Sequence, residues 1–83
     1  KVFNFHIHYC NMERIIVDSK ILAGKPIIRG TRISVEFILE ILSSGMSVEE
    51  ILEEYPHLKR EDILAALAYA SGMLKHGEVY LTK

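Results

Sequence analysis

The run SSGMSVEEILEEYPHLKREDI, residues 43 to 63, limits the possible folds more than any other stretch. It contains a helix stop, a helix start and a second stop in close succession. Gly45 is the residue type that ends helices in a left-handed conformation, and Met46 stands where the next side chain packs back on the last turn. Ser47 and Glu50 have the S-x-x-E spacing of a capping box, in which each side chain accepts the backbone N–H of the other residue. Pro56 disfavours helical backbone at Tyr55. A short helix is therefore expected from Val48, with Val48, Ile51, Leu52 and Tyr55 on its apolar side and Glu49, Glu50, Glu53 and Glu54 over the rest.

The same periodicity defines a helix on either side. Ser34 is a good N-cap, and Val35, Ile38, Leu39 and Leu42 recur at i, i+3, i+4 and i+7, opposite Glu36, Glu40 and Ser43. The third helix is expected over about residues 60 to 75. Its core stripe is read as Ile63, Leu67, Ala70 and Leu74, with Leu64, Ala68 and Ser71 beside it. The far side holds Ala65, Ala66, Tyr69, Gly72 and Met73, so the helix is apolar nearly all round. Such a helix must be covered on both sides, and in a small chain the second cover is another chain. Ala66, Tyr69 and Met73 are the expected dimer or partner face.

Ahead of the helices the period changes to two. Phe3, Phe5, Ile7 and Tyr9 alternate with Asn4, His6 and His8, as in a half-buried strand. Glu13 to Val17 form a second strand candidate, and Ile27 with Ile28 a minimal third. Glu78 to Thr82 close the chain as a further short strand. The expected architecture is mainly α: a three-helix bundle with a small β arm or hairpin at its N-terminal end.

Eighty-three residues allow one domain with little surface left for a separate cleft. No apolar run approaches the roughly 18 residues needed to cross a bilayer, so no membrane partner is expected. A single cysteine and the lack of a leader pattern fit a reducing cytoplasm. The net charge of -1 conceals a strong asymmetry. Arg14, Lys20, Lys25, Arg29 and Arg32 against Asp18 give +4 over residues 14 to 32. Eight acids against Lys59 and Arg60 give -6 over residues 36 to 62.

Few residue sets suit chemistry. His6, His8 and Cys10 share a strand face and are weak candidates for a metal, but a fourth ligand is not evident. No cofactor is expected. His57 and His76 read as structural. Glu49, Glu50, Glu53 and Glu54 lie on one short helix and do not converge as a catalytic carboxylate cluster would. They read as a solvated face or as a docking surface for a basic partner. With no Ser-His-Asp set, nucleotide-binding glycine loop or nucleophilic cysteine context, a non-enzymatic role is expected.

Helix two, the turn Tyr55-Pro56-His57-Leu58 and helix three make a helix-turn-helix pattern, which places the start of its second helix in the DNA major groove. The reading end would be Lys59, Arg60, Glu61 and Asp62, two bases opposed by two acids. Affinity for duplex DNA would then draw on Arg29 and Arg32 as well.

The segment GKPIIRGTRIS, residues 24 to 34, joins the arm to the helices. Together with GMSVEEI at 45 to 51 and YPHL at 55 to 58, it resembles the hallmarks of a bacterial and archaeal family, domain of unknown function 433. The resemblance runs from Met12 to about Met73 and leaves residues 1 to 11 outside; residues 12 to 83 are read as one helix-turn-helix-like domain. It implies a homeodomain-like or winged-helix-like fold with a small β arm and an antitoxin-like role beside a toxin similar to PIN-domain ribonucleases. The leading expectation is a cytoplasmic regulator, a homodimer through the third helix or the β arms, that neutralises such a toxin and acts on its own promoter. Gly24, Lys25, Pro26, Arg29, Gly30, Thr31 and Arg32 are then the family signature. The arm can bind a phosphate or a partner's acids around Gly30 and Thr31, or simply turn the chain. One departure is Lys59, which stands where relatives often have Ser or Thr and so weakens the cap of helix three. A protein-interaction or oligomerisation module that never touches DNA is the alternative.

Overall fold

The computed structural model describes residues 12–77 of the chain. The expected strands over 2–9 and 78–82, with His6, His8 and Cys10, lie outside the described residues. A 3-10 turn, Met12–Arg14, leads into β1, Ile15–Val17, which pairs antiparallel with β2, Pro26–Ile28. Ile15 faces Ile28, Ile16 faces Ile27 and Val17 faces Pro26. The Arg29 N–H donates to the Arg14 carbonyl at 2.7 Å, which carries the pairing one residue further. Between the strands, Leu22, Ala23 and Gly24 have φ of 49, 56 and 83°, three successive left-handed residues that reverse the chain.

Three helices follow. In α1, Val35–Ser43, the Ser34 Oγ accepts the Phe37 N–H at 2.9 Å. Its end is a Schellman motif: the Met46 N–H donates to the Ile41 carbonyl and the Gly45 N–H to the Leu42 carbonyl, with Gly45 at φ 104°. In α2, Val48–Glu54, both bonds of the capping box form, at 3.1 Å from the Glu50 N–H to Ser47 Oγ and 2.8 Å from the Ser47 N–H to Glu50 Oε1. The helix α3, Arg60–Gly77, starts differently from expectation. Lys59 offers no capping oxygen, but Asp62 reaches back and its Oδ2 accepts the Lys59 N–H at 2.9 Å. This acid supplies half of a capping box.

The core is Ile28 of β2, Val35 and Ile38 of α1, Ile51 of α2, Leu58 of the following turn and Ile63 and Ala66 of α3, with Ile15, Tyr55 and Tyr69 packed on its edge. The Phe37 and Tyr55 rings meet edge to face at 5.7 Å.

The orientation of α3 corrects the sequence reading. Ala65 and Ala66 are buried, whereas Leu64, Leu67 and Leu74 are 49, 43 and 68% exposed. Of the expected core stripe, Ile63 alone is buried in the core; Leu67 and Leu74 face outward and Ala70 is half-buried. Ala66 and Tyr69 face the core rather than a partner, and Met73 continues their stripe one turn past it at 59% exposure. The physical reason is approach distance. Alanine lets the axis of α3 come close to the isoleucines of α1, and the same rotation carries Asp62 inward to meet the arm.

Candidate functional site

The signature segment forms a tight connection between β2 and α1. The Thr31 N–H donates to the Ile28 carbonyl at 3.0 Å, which closes a four-residue turn over Ile28 to Thr31. Gly30, third in that turn, has φ 82°, as a type II turn demands. The Thr31 hydroxyl donates to the Ile28 carbonyl at 2.8 Å and accepts the Ile33 N–H at 3.0 Å. The Ile28 N–H reaches the Ile33 carbonyl at 2.9 Å, and Ile27 bridges to Ser34, so the turn delivers the N-cap of α1 to its place. Lys25 Nζ meets Glu36 Oε1 at 2.9 Å, a strap from arm to helix, and this hydrogen bond and charge raise the pKa of the lysine. Thr31, Gly30 and Lys25 therefore have structural work. Arg29 and Arg32 are left exposed beside the turn.

The arm meets the start of α3 through an ion pair. Arg14 Nη1 donates to Asp62 Oδ1 at 2.9 Å; the Asp62 side chain is 9% exposed and that of Arg14 37%. Arg29 lies alongside, its Nε donating to the Glu13 carbonyl at 2.8 Å. Glu13, Arg14, Arg29 and Asp62 line an open depression of about 370 Å³. Two arginines and two acids in one depression make a poor anion site, since the acids oppose whatever the arginines attract. Neither Arg14 nor Asp62 stood out in the sequence as a pair. The usable signal was an acid three residues after the last non-helical position, the place where a side chain reaches back to an N-cap N–H.

The four bases expected to contact DNA divide into two groups. Arg60 Nη2 holds Glu49 Oε2 at 2.9 Å, and this hydrogen bond keeps the Glu49 carboxyl below the usual carboxylate range. Lys59 is exposed, as are Arg29 and Arg32, and Glu61 adds an exposed acid at the same end of α3. The sequence reading missed the feature that most distinguishes α3, its outer face. Leu64, Leu67 and Leu74 lie there with Ser71, turned away from the core. Among the described residues no three His, Cys, Asp or Glu gather to hold a metal, and no helix is long and apolar enough to cross a membrane.

Comparison with known proteins places the same elements in a family. An uncharacterised protein, y4eO, of Sinorhizobium fredii is 44% identical over 58 residues, which are 70% of this chain and 26% of that protein. The chain thus spans about a quarter of that relative's length. An uncharacterised Archaeoglobus fulgidus protein is 64% identical over 25 residues, 30% of this chain and 69% of that one. A crystal structure of a DUF433 member from Anabaena variabilis superimposes with a TM-score of 0.71 at 25% identity, covering 99% of this chain and 83% of that one. The sequence profile described as "Protein of unknown function (DUF433)" matches residues 15–70, from β1 to the middle of α3. The arm, the turn, the three helices and the profile agree, and the chain belongs to the DUF433 family.

Proposed function

We propose that this protein is an antitoxin-like regulator that acts by protein contact rather than by reading bases with α3. The observation that carries this reading is the outer face of α3. A recognition helix presents side chains that hydrogen-bond to base edges. Here that side carries Leu64, Leu67 and Leu74, and Arg60 at its start is drawn aside by Glu49. Leucines exposed along one helix face suit a protein surface far better than a major groove.

The acidic surface suggests the kind of partner. Glu36, Glu40, Glu49, Glu50, Glu53 and Glu54 are all exposed on α1 and α2. A ribonuclease binds its substrate through basic residues, and a carboxylate surface complements and masks them. The partner is accordingly a PIN-like ribonuclease toxin docked on α1 and α2. The test is co-purification with such a ribonuclease encoded beside this chain, with RNA cleavage as readout. A stable complex with suppressed cleavage is expected. Glu53→Lys with Glu54→Lys, at exposed sites without ion pairs among the described residues, should release the toxin and restore cleavage. Suppression that survives the double change would remove the acidic surface from the account.

A second reading, DNA contact through the arm, is favoured by Arg29 and Arg32 lying exposed on the arm. Fluorescence anisotropy against the protein's own upstream duplex and a shuffled one, at two salt concentrations, decides between them.

A further inference from the structure

We propose that the outer face of α3 is covered by a second copy of this chain, its α3 packed antiparallel. This rests on reading that face as a protein-binding surface, and adds the occupant and its orientation. Leu64, Leu67, Ser71 and Leu74 are spaced 3, 4 and 3 residues apart, the a/d repeat of a helix-pairing seam. All four are exposed. Arg60, four residues before Leu64 on the same stripe, is pulled off it by Glu49 at 2.9 Å and so leaves the seam apolar.

Charge selects the occupant and the direction. Glu61 and Lys75 flank the seam at its two ends, both exposed and neither in an ion pair among the described residues. In an antiparallel pair Leu64 lies opposite Leu74 of the second copy, and Glu61 lies beside Lys75 of the second copy at both ends. In a parallel pair the flanking residues that meet are Ile63 with Ala68 and Ala70 with Lys75, so neither charge finds its opposite. At the middle, Ala68 and Ser71 are small and let the two axes approach closely. A dyad through Ala68 therefore buries the six leucines of two copies and pairs all four flanking charges. An unrelated partner would match this arrangement only by carrying the reverse pattern, which the chain already supplies to itself.

The test is the mass of the full chain in solution. Light scattering over a tenfold concentration range should give twice the 9.5 kDa chain mass. Leu67→Glu, at an exposed site, should give monomer with an unchanged circular dichroism spectrum. Glu61→Lys alone should weaken the dimer about tenfold, because it sets like charges together at both ends, and adding Lys75→Glu should restore it. Ala68→Cys in a Cys10→Ser background should cross-link copies rapidly under mild oxidation. A wild-type monomer at high concentration, a dimer indifferent to Leu67→Glu, or a double charge swap that fails to rescue would each overturn the proposal. A monomer that still suppresses the ribonuclease would sink this inference and leave the proposed function standing.

Discussion

Asp62→Ala should be the most costly change to a charged residue in the described chain, and its size can be worked from two contacts. The Asp62 carboxylate accepts the Lys59 N–H and an Arg14 N–H, both at 2.9 Å, while the residue is 6% exposed. Loss of a helix-capping bond costs about 1 kcal/mol. A hydrogen bond to a charged group contributes about 1.5–3 kcal/mol, and the lower end applies because the Arg14 side chain is 37% exposed and can be rehydrated once released. The sum is about 2–3 kcal/mol, or roughly 10–20 °C in Tm for a domain of this size. Asp62→Asn keeps an acceptor for Lys59 and loses the charge, so it should cost about half as much. Urea denaturation followed by circular dichroism gives each value, and a cycle with Arg14→Ala isolates the pair, with an expected coupling of about 1–2 kcal/mol. A cost under about 0.5 kcal/mol for Asp62→Ala, or strict additivity with Arg14→Ala, would refute the claim that this acid ties the arm to α3.

Gly30→Ala should cost about 1–2 kcal/mol, measured by the same denaturation. No atom lies within 4 Å of the added methyl, so the cost is the φ of 82° alone, and Gly30→Asn should recover part of it. Ile51→Ala should cost about 2–5 kcal/mol at a side chain with no exposure, comparable with the total stability of a domain this small, and leave little folded protein at 37 °C by near-UV dichroism. Glu49 has a folded pKa below its ordinary 4.5, so its pair with Arg60 contributes fully above that value and is lost as pH falls through the depressed one. Glu49→Gln should therefore flatten the acid limb of the stability profile below the ordinary carboxylate value of 4.5 and leave the profile well above it unchanged in shape.

The elements that the sequence announced most clearly are those with local signals. Gly45, the Ser47–Glu50 box, Ser34 and Pro56 each act within one turn, and each marks the helix boundary where it was read. The face of α3 could not be read in that way. With apolar residues nearly all round, periodicity gives no preferred side, and the choice fell to axis separation and to the partner of Asp62, both long-range properties. The candidate site follows the same logic: apolar periodicity places Ala66 and Tyr69 outward and Leu64, Leu67 and Leu74 inward, whereas in the fold the first two lie on the core side and the leucines lie outside. The GKPIIRGTRIS segment was legible as a functional or a structural unit, and its hydrogen bonds assign Thr31 and Lys25 to the structure.

Pairing of α3 with a second copy and base reading by α3 exclude each other, because both use the stripe from Arg60 through Leu64 and Leu67. By linkage, a duplex read by that stripe must pull the dimer apart, and its affinity must rise as the protein is diluted below the dimer dissociation constant. Contact through the arm behaves oppositely, since Arg29 lies in the turn ahead of α1 and Arg32 just after it, and neither belongs to the seam. Two copies then present four arginines at once. Neutralising four phosphates predicts a slope of about -3.6 for log affinity against log salt, which Arg29→Ala with Arg32→Ala should bring close to zero. Anisotropy titrations of the wild type and of Leu74→Glu, which breaks the seam at its far end outside the stripe from Arg60 to Leu67, against one duplex separate the cases. Tighter binding by the monomeric variant would assign α3 to the groove and remove the dimer from the DNA-bound state; weaker binding with the steep slope halved would assign any DNA contact to the paired arms.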